Sequence, residues 1–251
     1  MSQGNHSSRW ISPSESGLAA WTIEHVGETG STNDDLMERA RGGAPDRLVL
    51  VADHQTAGRG RLDRRWDSPR GANVLMSILF RREQSGDVAR MTRVVALGAA
   101  RAAHEVSGVD VRLKWPNDLV VGAAKVAGAL AQASPADGFV VVGMGMNVGW
   151  APPEGVALNA LAGSTIDRAG LVAAICRHVD VVARLAPDEL ADEHRRRLDT
   201  IGALVRVTFA DTTECVGTAR DVDVHGHLVV DDGSSIRVID VGDVVHLRRV
   251  R

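Results

Sequence analysis

The residues best suited to chemistry lie in one short stretch with two glycines and four arginines that ends in a tryptophan. It covers residues 55–66 and has the sequence QTAGRGRLDRRW. Glycine permits positive φ angles and close approach of a ligand to the main chain. Arginine presents a fork of N–H donors that matches phosphate and carboxylate oxygens. The pattern predicts an anion-binding loop. For this stretch alone, a solvated basic loop with Trp66 packed on the core is an equal alternative.

Three further stretches carry polar residues at places where they could meet a ligand. Residues 31–33 (STN) begin a helical pattern, so they predict a helix cap or donors and acceptors for a ligand at that helix terminus. Residues 114–118 (KWPND) are followed by 125–128 (KVAG), and residues 143–147 (GMGMN) end an apolar run. Asparagine side chains offer paired donors and acceptors, lysine a cation and aspartate a base.

The elements that must position these stretches follow from the apolar periodicity. Alternation predicts a strand at 21–26, apolar runs predict strands at 48–52 and 73–80, and a stripe of apolar residues predicts a long helix around 91–106. Pro116 divides residues 111–121 into strand, break and strand. The most apolar run, 139–147, should be central in the sheet. Further predictions are a strand at 125–130, helices at 168–185 and 187–198, and short strands from residue 204 onward.

Composition excludes several function classes. The chain has 251 residues, of which 44% are hydrophobic and 24% charged, which is typical of a globular protein with one large core or a core and a satellite. A net charge of -3 and a pI near 6.3 argue against general nucleic-acid binding. No apolar run is long enough to span a membrane, and the two distant cysteines favour a reduced, cytoplasmic protein. Dinucleotide, phosphate-loop and zinc-protease motifs are incomplete or absent.

Taken together and in this order, the four stretches closely resemble the biotin protein ligase family over roughly residues 20–200. The resemblance implies an α+β fold with a mixed, mostly antiparallel sheet and helices mainly on one face, as in class II aminoacyl-tRNA synthetases. It also implies an SH3-like β-barrel at the carboxyl end. We expect a flexible amino terminus (1–19), a biotin- and ATP-binding catalytic domain (20–201) and the SH3-like domain (202–251).

The resemblance implies an ATP-dependent ligase that activates biotin as biotinyl-5'-AMP. The biotinyl group would then pass to a lysine of a biotin carboxyl carrier domain of acyl-CoA carboxylase or pyruvate carboxylase. Mg²⁺ is expected on the phosphates, with no metal site in the protein itself. Only about 20 residues precede the first strand, so we expect no winged helix-turn-helix and no DNA-binding role.

The resemblance assigns roles to individual residues. The expected catalytic residues are Lys125, Arg61 and Asp118. The expected biotin-binding residues are Ser31, Thr32, Asn33, Gln55, Arg59, Gly60, Arg61, Lys125 and Gly128. The expected nucleotide-binding residues are Arg59, Arg61, Arg64, Trp66, Asn117, Lys125, Gly145 and Asn147. The loop 58–65 should order over the ligand and exclude water from the adenylate.

Several alternatives stay open at the level of sequence. Lys125 could be an ordinary exposed lysine, and Asp118 a turn aspartate after Pro116. A lipoate ligase or octanoyltransferase shares the expected fold, and a non-catalytic biotin or nucleotide sensor would keep the pocket. The carboxyl-terminal segment could be an independent interaction module.

Overall fold

Helices and strands are interspersed along the chain up to residue 197, and the elements described after that residue are all strands. The computed structural model describes residues 18–62, 64–81, 88–209, 211–240 and 242–246. Within these residues the elements are β1 (Thr22–Val26), α1 (Thr32–Arg41), β2 (Leu48–Ala52), β3 (Val74–Arg81), α2 (Val88–Ser107), β4 (Arg112–Lys114), β5 (Asp118–Val121), β6 (Ala124–Ser134), β7 (Phe139–Met146), α3 (Leu158–Ala162), α4 (Arg168–Ala183), α5 (Pro187–Arg197), β8 (Leu204–Thr208), β9 (Glu214–Val222), β10 (Leu228–Asp231), β11 (Ile236–Ile239) and β12 (Asp243–His246).

The first seven strands form one mixed sheet in the order β1-β2-β3-β7-β6-β5-β4. β1 and β2 are parallel, and the other neighbouring pairs are antiparallel. The most apolar strand, β7, occupies the middle of the sheet, because it is buried on both sides. The predicted fold class and the central position of this strand are confirmed.

Alternation along the strands divides the apolar side chains between the two faces of the sheet. On β2, Val49 and Val51 join the main core, whereas Leu48 and Leu50 join a smaller cluster beneath α1. The main core lies under α2 and α4, which pack closely because Gly98 has no side chain: a Cβ there would lie 2.7 Å from Val179 Cγ2. The helices therefore lie mainly on one face, and α1 alone among α1, α2 and α4 covers the other.

The last five strands form an antiparallel sheet in the order β11-β10-β9-β8-β12. Its inner side chains belong to the same continuous core as α2 and α4. Hydrogen bonds also join the second sheet to the rest of the chain. Trp115 Nε1 donates to Gly226 O at 2.9 Å, and Arg93 Nη1 donates to Val224 O at 3.0 Å. The second sheet is therefore docked on the first through buried contacts. The sequence analysis missed α3, which is short, and did not single out β12 within the β region that it expected from residue 204 onward.

The beginning of the chain is fixed to the main core from Leu18 onward. Leu18 and Trp21 are buried, and Trp21 Nε1 donates to Asp180 Oδ2 at 2.8 Å. Residues 1–17, which make up most of the predicted flexible segment, lie outside the described residues. Across the ranges that the structure describes, none of the helices combines the length and the apolar character needed to cross a membrane.

A buried histidine lies near the end of α5. His194 is 3% exposed, and burial, together with the charges of Arg93 and Arg195, lowers its pKa to about 3. The folded state therefore holds this imidazole neutral at pH values where an unfolded chain would protonate it. The folded state loses free energy relative to the unfolded state as the pH falls from about 6.5 toward about 3, at up to about 1.4 kcal/mol per pH unit.

This depressed pKa predicts an acid sensitivity that one substitution removes. Between about pH 7.5 and about pH 5, the free energy of unfolding of the wild type should fall by about 2 kcal/mol more than that of His194→Gln, because glutamine does not titrate. Urea unfolding at both pH values measures the difference, and carboxylates shared by both proteins cancel. Parallel pH dependences would show that His194 is not held neutral.

Candidate functional site

One cavity opens at the face of the large sheet where β5, β6 and β7 meet the beginning of α1 and the arginine-rich loop. Its volume is about 360 Å³. All four of the sequence stretches reach it, although they are far apart in the chain. The predicted site residues that line it are Ser31, Thr32, Asn33, Gln55, Arg59, Gly60, Arg61, Arg64, Trp66, Asn117, Asp118, Lys125, Gly128, Gly145 and Asn147. The structure therefore brings together every residue that the sequence assigned to the site.

A network of short polar side chains lies at the amino terminus of α1. Ser31 caps the helix, because its Oγ accepts from the backbone N–H of Asp34. The N–H and the hydroxyl of Thr32 both donate to Gln55 Oε1, at 2.8 and 3.0 Å. Gln55 is thereby held against the helix terminus by one oxygen atom. The prediction that residues 31–33 cap a helix is correct for Ser31. Thr32 does not cap the helix but binds Gln55.

The network continues into the sheet through Ser77, which is fully buried on β3. Ser77 Oγ lies 2.7 Å from Thr32 Oγ1 and 2.6 Å from Asn33 Oδ1, so its single proton faces two acceptors. Asn33 Nδ2 donates to Leu130 O at 3.1 Å. This end of the cavity has more acceptors than donors, and it suits a ligand that brings N–H groups.

Two glycines on β7 leave space for side chains that form other walls of the cavity. A Cβ at Gly143 would lie 2.3 Å from Asn33 Oδ1, and a Cβ at Gly145 would lie 2.4 Å from the ring of Trp66. Side chains therefore pack directly on the main chain of the central strand. The pattern GMG reflects close packing on one face, since the methionine between the glycines points into the main core.

The arginine-rich loop folds back on itself as a short hairpin. Arg59 and Arg65 form an antiparallel bridge, Gly60 N–H donates to Arg64 O at 2.6 Å, and Trp66 N–H donates to Gly58 O at 3.0 Å. Arg59 also forms a salt bridge with Asp34 on the first turn of α1. The loop is thus attached to the cap of α1, at the rim of the cavity.

Arg61 crosses from this loop to the second sheet. Its Nη1 donates to Asn117 Oδ1 at 3.2 Å, and its Nη2 donates to Gly242 O at 3.0 Å. Burial lowers the pKa of Arg61, while the carboxylates of Asp243 and Asp118 raise it. A guanidinium keeps its charge despite such a shift, so Arg61 is a partly desolvated cation.

Lys125 and Asp118 form an ion pair at the base of the cavity, with Nζ 2.6 Å from Oδ1. The ammonium also lies over the ring of Trp66, 5.5 Å from its centroid. Gly128 lies beneath the pair, and a Cβ there would lie 3.1 Å from Nζ and 3.3 Å from Asp118 Oδ1. The absence of a side chain at Gly128 leaves the space in which this cation and carboxylate meet.

The two asparagines use their amide donors to brace β6. Asn117 Nδ2 donates to Ala129 O at 2.6 Å, and Asn147 Nδ2 donates to Lys125 O at 3.1 Å. Asn147 therefore fixes the main chain at Lys125, and Asn117 fixes it next to Gly128. Trp66 Nε1, by contrast, is buried and has no hydrogen-bond acceptor among the described residues. A donor left in this state is costly unless a ligand or water accepts from it.

Known proteins with similar sequences identify the family. Residues 29–147 match the model of the biotin/lipoate A/B protein ligase family, and residues 200–247 match that of the biotin protein ligase C terminal domain. The chain is 37% identical over 239 residues to a biotin–[acetyl-CoA-carboxylase] ligase of Mycobacterium tuberculosis, which covers 90% of this chain and 89% of that protein. The chain belongs to the biotin protein ligase family. The family and the ligase class predicted from the sequence are thereby confirmed.

Other biotin protein ligases are also similar to this chain in sequence or in structure. The bifunctional ligase/repressor BirA of Escherichia coli is 32% identical over 221 residues, covering 82% of this chain and 68% of that protein. The structure of the Aquifex aeolicus biotin protein ligase in complex with biotin and ATP superposes with a TM-score of 0.79 at 23% identity, covering 90% of this chain and 99% of that one. At that identity the structural likeness establishes the shared fold.

Ser77, Trp150 and Asp243 are among the residues in or beside the cavity to which the sequence analysis of this biotin protein ligase family member assigned no role. Ser77 was placed in a strand without a role, and its signal was a polar residue among apolar ones on a buried strand. Trp150 lines the cavity just after the GMGMN stretch and is 37% exposed. Asp243 reaches the cavity from the second sheet, and nothing local in the sequence indicates that contact.

The packing of Trp66 on Gly145 predicts the effect of a single added methyl group. Gly145→Ala should lower the free energy of unfolding by about 1–3 kcal/mol, because a Cβ 2.4 Å from the ring must displace it. Gly30→Ala is the matched control, since a Cβ there meets no heavy atom within 4 Å. Urea unfolding of the two variants measures the contrast. Equal stabilities would mean that Trp66 does not rest on this glycine.

Proposed function

We propose that the protein activates biotin with ATP as biotinyl-5'-AMP and transfers the biotinyl group to a lysine of a biotin carboxyl carrier domain. The expected acceptors are acyl-CoA carboxylase or pyruvate carboxylase. The observation that carries this proposal is the convergence of Arg59, Arg61 and Lys125 on one cavity whose opposite end is neutral and polar. Such a site can hold two anionic substrates together at one end and an uncharged ring at the other.

The neutral end suits the ureido ring of biotin. Its N–H groups would meet the surplus acceptors around Asn33 and Ser77, and its carbonyl would accept from the hydroxyl of Ser31. Thr32, whose two donors are both taken by Gln55, would take part through its hydroxyl oxygen as an acceptor. The carboxylate would then extend toward Arg59 and Lys125, past Gly60 and Gly128.

The cationic end suits the nucleotide. Trp66 can stack on adenine, and its unpaired Nε1–H can donate to a ligand oxygen or nitrogen. Arg61 and Arg64 would bind phosphate oxygens, and Asn117, Gly145 and Asn147 would form the wall for the adenosine. In this arrangement Asn147 holds the main chain of Lys125 through one of its two amide N–H donors, and its second N–H and its Oδ1 would be left for the adenosine.

In the first step a carboxylate oxygen of biotin attacks the α-phosphorus of ATP, and pyrophosphate leaves. Lys125 and Arg61 would neutralise the charge that develops on the α-phosphate. Mg²⁺, carried by the phosphates, would supply further charge neutralisation there. Among the residues that the structure describes, no group of three or more His, Cys, Asp or Glu side chains could hold a metal ion. Three acidic residues of the cavity, Asp67, Asp118 and Asp243, instead pair with its cations.

In the second step an amine of the carrier attacks the acyl carbon, and AMP leaves. Asp118 is the proposed base or orienting group, and it lies 2.6 Å from Lys125 in the absence of substrates. Once the adenylate attracts Lys125, the carboxylate of Asp118 becomes available to the incoming ammonium. The pair would thus serve the two steps in turn.

The proposal gives different roles to two parts of the chain. Residues 20–201 would form the biotin- and ATP-binding domain, and residues 202–251 an SH3-like domain that contributes Gly242 O and Asp243 to the cavity region. The cytoplasm is the proposed location, in keeping with two free, buried cysteines.

The deciding experiment measures exchange of labelled pyrophosphate into ATP with biotin or lipoate, followed by transfer to a carrier domain. We expect exchange and transfer with biotin, and exchange with lipoate at least about 10²-fold slower, because a dithiolane brings no N–H groups to the acceptors. Preferential exchange with lipoate would replace the proposal by a lipoate ligase. Absence of exchange with either acid would favour a non-catalytic sensor.

Two variants that each remove one charge separate the steps. Lys125→Gln should slow exchange by about 10²-fold or more, whereas Asp118→Asn should retain exchange and slow transfer by about 10²-fold or more. Asp137→Asn is the control, because within the described ranges the side chain of Asp137 bonds only to Ser134, on a turn at the far end of β6. Equal loss of both steps in Asp118→Asn would assign this carboxylate to positioning Lys125.

Arg61→Gly tests the proposed lid. Without the guanidinium that spans Asn117 and Gly242, the adenylate should leave before transfer and label lysines of a bystander protein such as albumin. Streptavidin blotting of albumin after incubation with the variant, biotin and ATP measures the release. Arg206→Gly, which removes an exposed arginine of the second sheet, should leave albumin unlabelled. Tight retention by Arg61→Gly would count against the lid role.

A further inference from the structure

A second cleft lies at the β4 edge of the large sheet, where this strand meets α2 and the end of α5. Its volume is about 410 Å³. Every side chain that lines it is charged: Arg101, Asp110, Arg112, Glu193, Arg196 and Arg197. None of these residues lines the cavity of the proposed active site. The cleft is therefore a separate feature of the surface.

The cleft carries a surplus of positive charge. Its four arginines and two carboxylates give it a net charge of +2, whereas the whole chain has a net charge of -3. Arg101 and Glu193 neutralise each other in a bidentate pair, in which Arg101 Nε donates to Glu193 Oε1 at 2.8 Å and Nη2 donates to Oε2. The surplus therefore resides on the other three arginines.

Two of these arginines have no carboxylate partner. Arg112 Nη2 donates to the main-chain oxygen of Arg196 at 2.8 Å, and within the described ranges neither guanidinium forms a salt bridge. Arg197 lies 3.7 Å from Asp110, whose side chain is 69% exposed, so water weakens that pair. Most of the N–H donors of the three arginines are left for water or for a ligand.

The end of α5 accounts for only part of this cluster. Basic residues favour the last turn of a helix, because the free carbonyl groups there carry roughly half a negative charge. Half a charge does not balance a surplus of two. Arg195, in the same turn, already pairs with Asp192 and Asp221 away from the cleft. The remaining cations repel one another in one cleft, and a bound anion would remove that repulsion.

We propose that this cleft binds a phosphate dianion, either free or as the terminal group of a small phosphomonoester. The fork of N–H donors on arginine matches two oxygens of a phosphate group. Arg112 and Arg196 would donate to these oxygens, and Arg197 would turn from Asp110 to the same ligand. A dianion balances the surplus of two charges, and the volume of the cleft leaves space for the rest of a small ester.

Isothermal titration calorimetry of the full chain with inorganic phosphate, at constant ionic strength, tests the proposal. The wild type should bind phosphate with a Kd of about 1 mM or tighter. Arg112→Gln and Arg196→Gln should each weaken binding at least about tenfold, because each removes charge-assisted hydrogen bonds. Arg220→Gln is the matched control, since it removes an exposed arginine of the second sheet and should bind phosphate as the wild type does.

A second pair of variants tests the sign of the electrostatic effect. Asp110→Asn removes a negative charge from the cleft and frees Arg197, so phosphate should bind about fivefold more tightly, the effect of one unit charge about 4 Å away in water. Glu214→Gln frees the exposed Arg206 of the second sheet in the same way and should leave the affinity unchanged. Equal affinities of Asp110→Asn and Glu214→Gln would contradict a ligand beside Arg197.

The cavity of the proposed active site also contains cations, so its contribution must be separated. Lys125→Gln removes one of them and should retain phosphate binding that is sensitive to Arg196→Gln. Arg196→Gln by itself should retain exchange of pyrophosphate into ATP. Binding that is lost in Lys125→Gln and unchanged in Arg112→Gln and Arg196→Gln would assign the anion to the cavity and overturn the proposal. So would a wild type that binds no phosphate up to about 10 mM.

Two further titrants identify the source of the phosphate group. Glycerol phosphate represents a phosphomonoester without a base, and inorganic phosphate represents the free ion. Tighter binding of the ester, sensitive to Arg196→Gln, supports a phosphorylated small molecule. Tighter binding of inorganic phosphate with the same sensitivity supports the free ion. Binding of either that is insensitive to Arg112→Gln and Arg196→Gln would remove the cleft from consideration.

Discussion

The interaction on which the site depends is the pairing of cavity cations with carboxylates of the same chain, whereas Arg61 binds the neutral oxygens of Asn117 and Gly242. Arg59 pairs with Asp34, Arg64 with Asp243, and Lys125 with Asp118. Cations gathered to receive a triphosphate and a carboxylate would repel one another in an empty site, and local carboxylates remove that repulsion. An anionic ligand then exchanges with the carboxylate as the partner of each cation. The carboxylates are released at the moment when they can interact with an incoming ammonium.

The fold supports this exchange by keeping the floor of the cavity rigid. Glycines at 128, 143 and 145 let side chains rest directly on the central strands, and the two asparagines fix the main chain around Lys125. The arginine loop, by contrast, is attached through exposed salt bridges and a few main-chain bonds. A rigid floor with a loosely attached rim allows the loop to rearrange while the position of the ammonium stays defined.

The features that could be predicted from the sequence are those that depend on neighbouring residues or on the periodicity of apolar residues. Ser31 could be recognised as a cap because capping involves neighbouring residues, and β7 could be placed centrally because it is apolar on both faces. Convergence of four stretches on one cavity required the resemblance, since periodicity does not determine which strands are adjacent. Asp243 and Gly242 could not be anticipated, because their contacts with the loop arise only when the two sheets dock. Ser77 was missed because its partners lie on another element.

The strengths of the contacts decide how the second sheet can take part in the reaction. An exposed pair such as Arg64 and Asp243 contributes about 0.2–1 kcal/mol, which is too little to hold a domain. Docking depends instead on the continuous apolar core and on the bonds of Trp115 and Arg93 to the 224–226 turn. The arginine loop can therefore leave Gly242 and Asp243 for a ligand without undocking the second sheet. Because Trp115 is two residues from Asn117, the same junction also sets the position of the asparagine that receives Arg61.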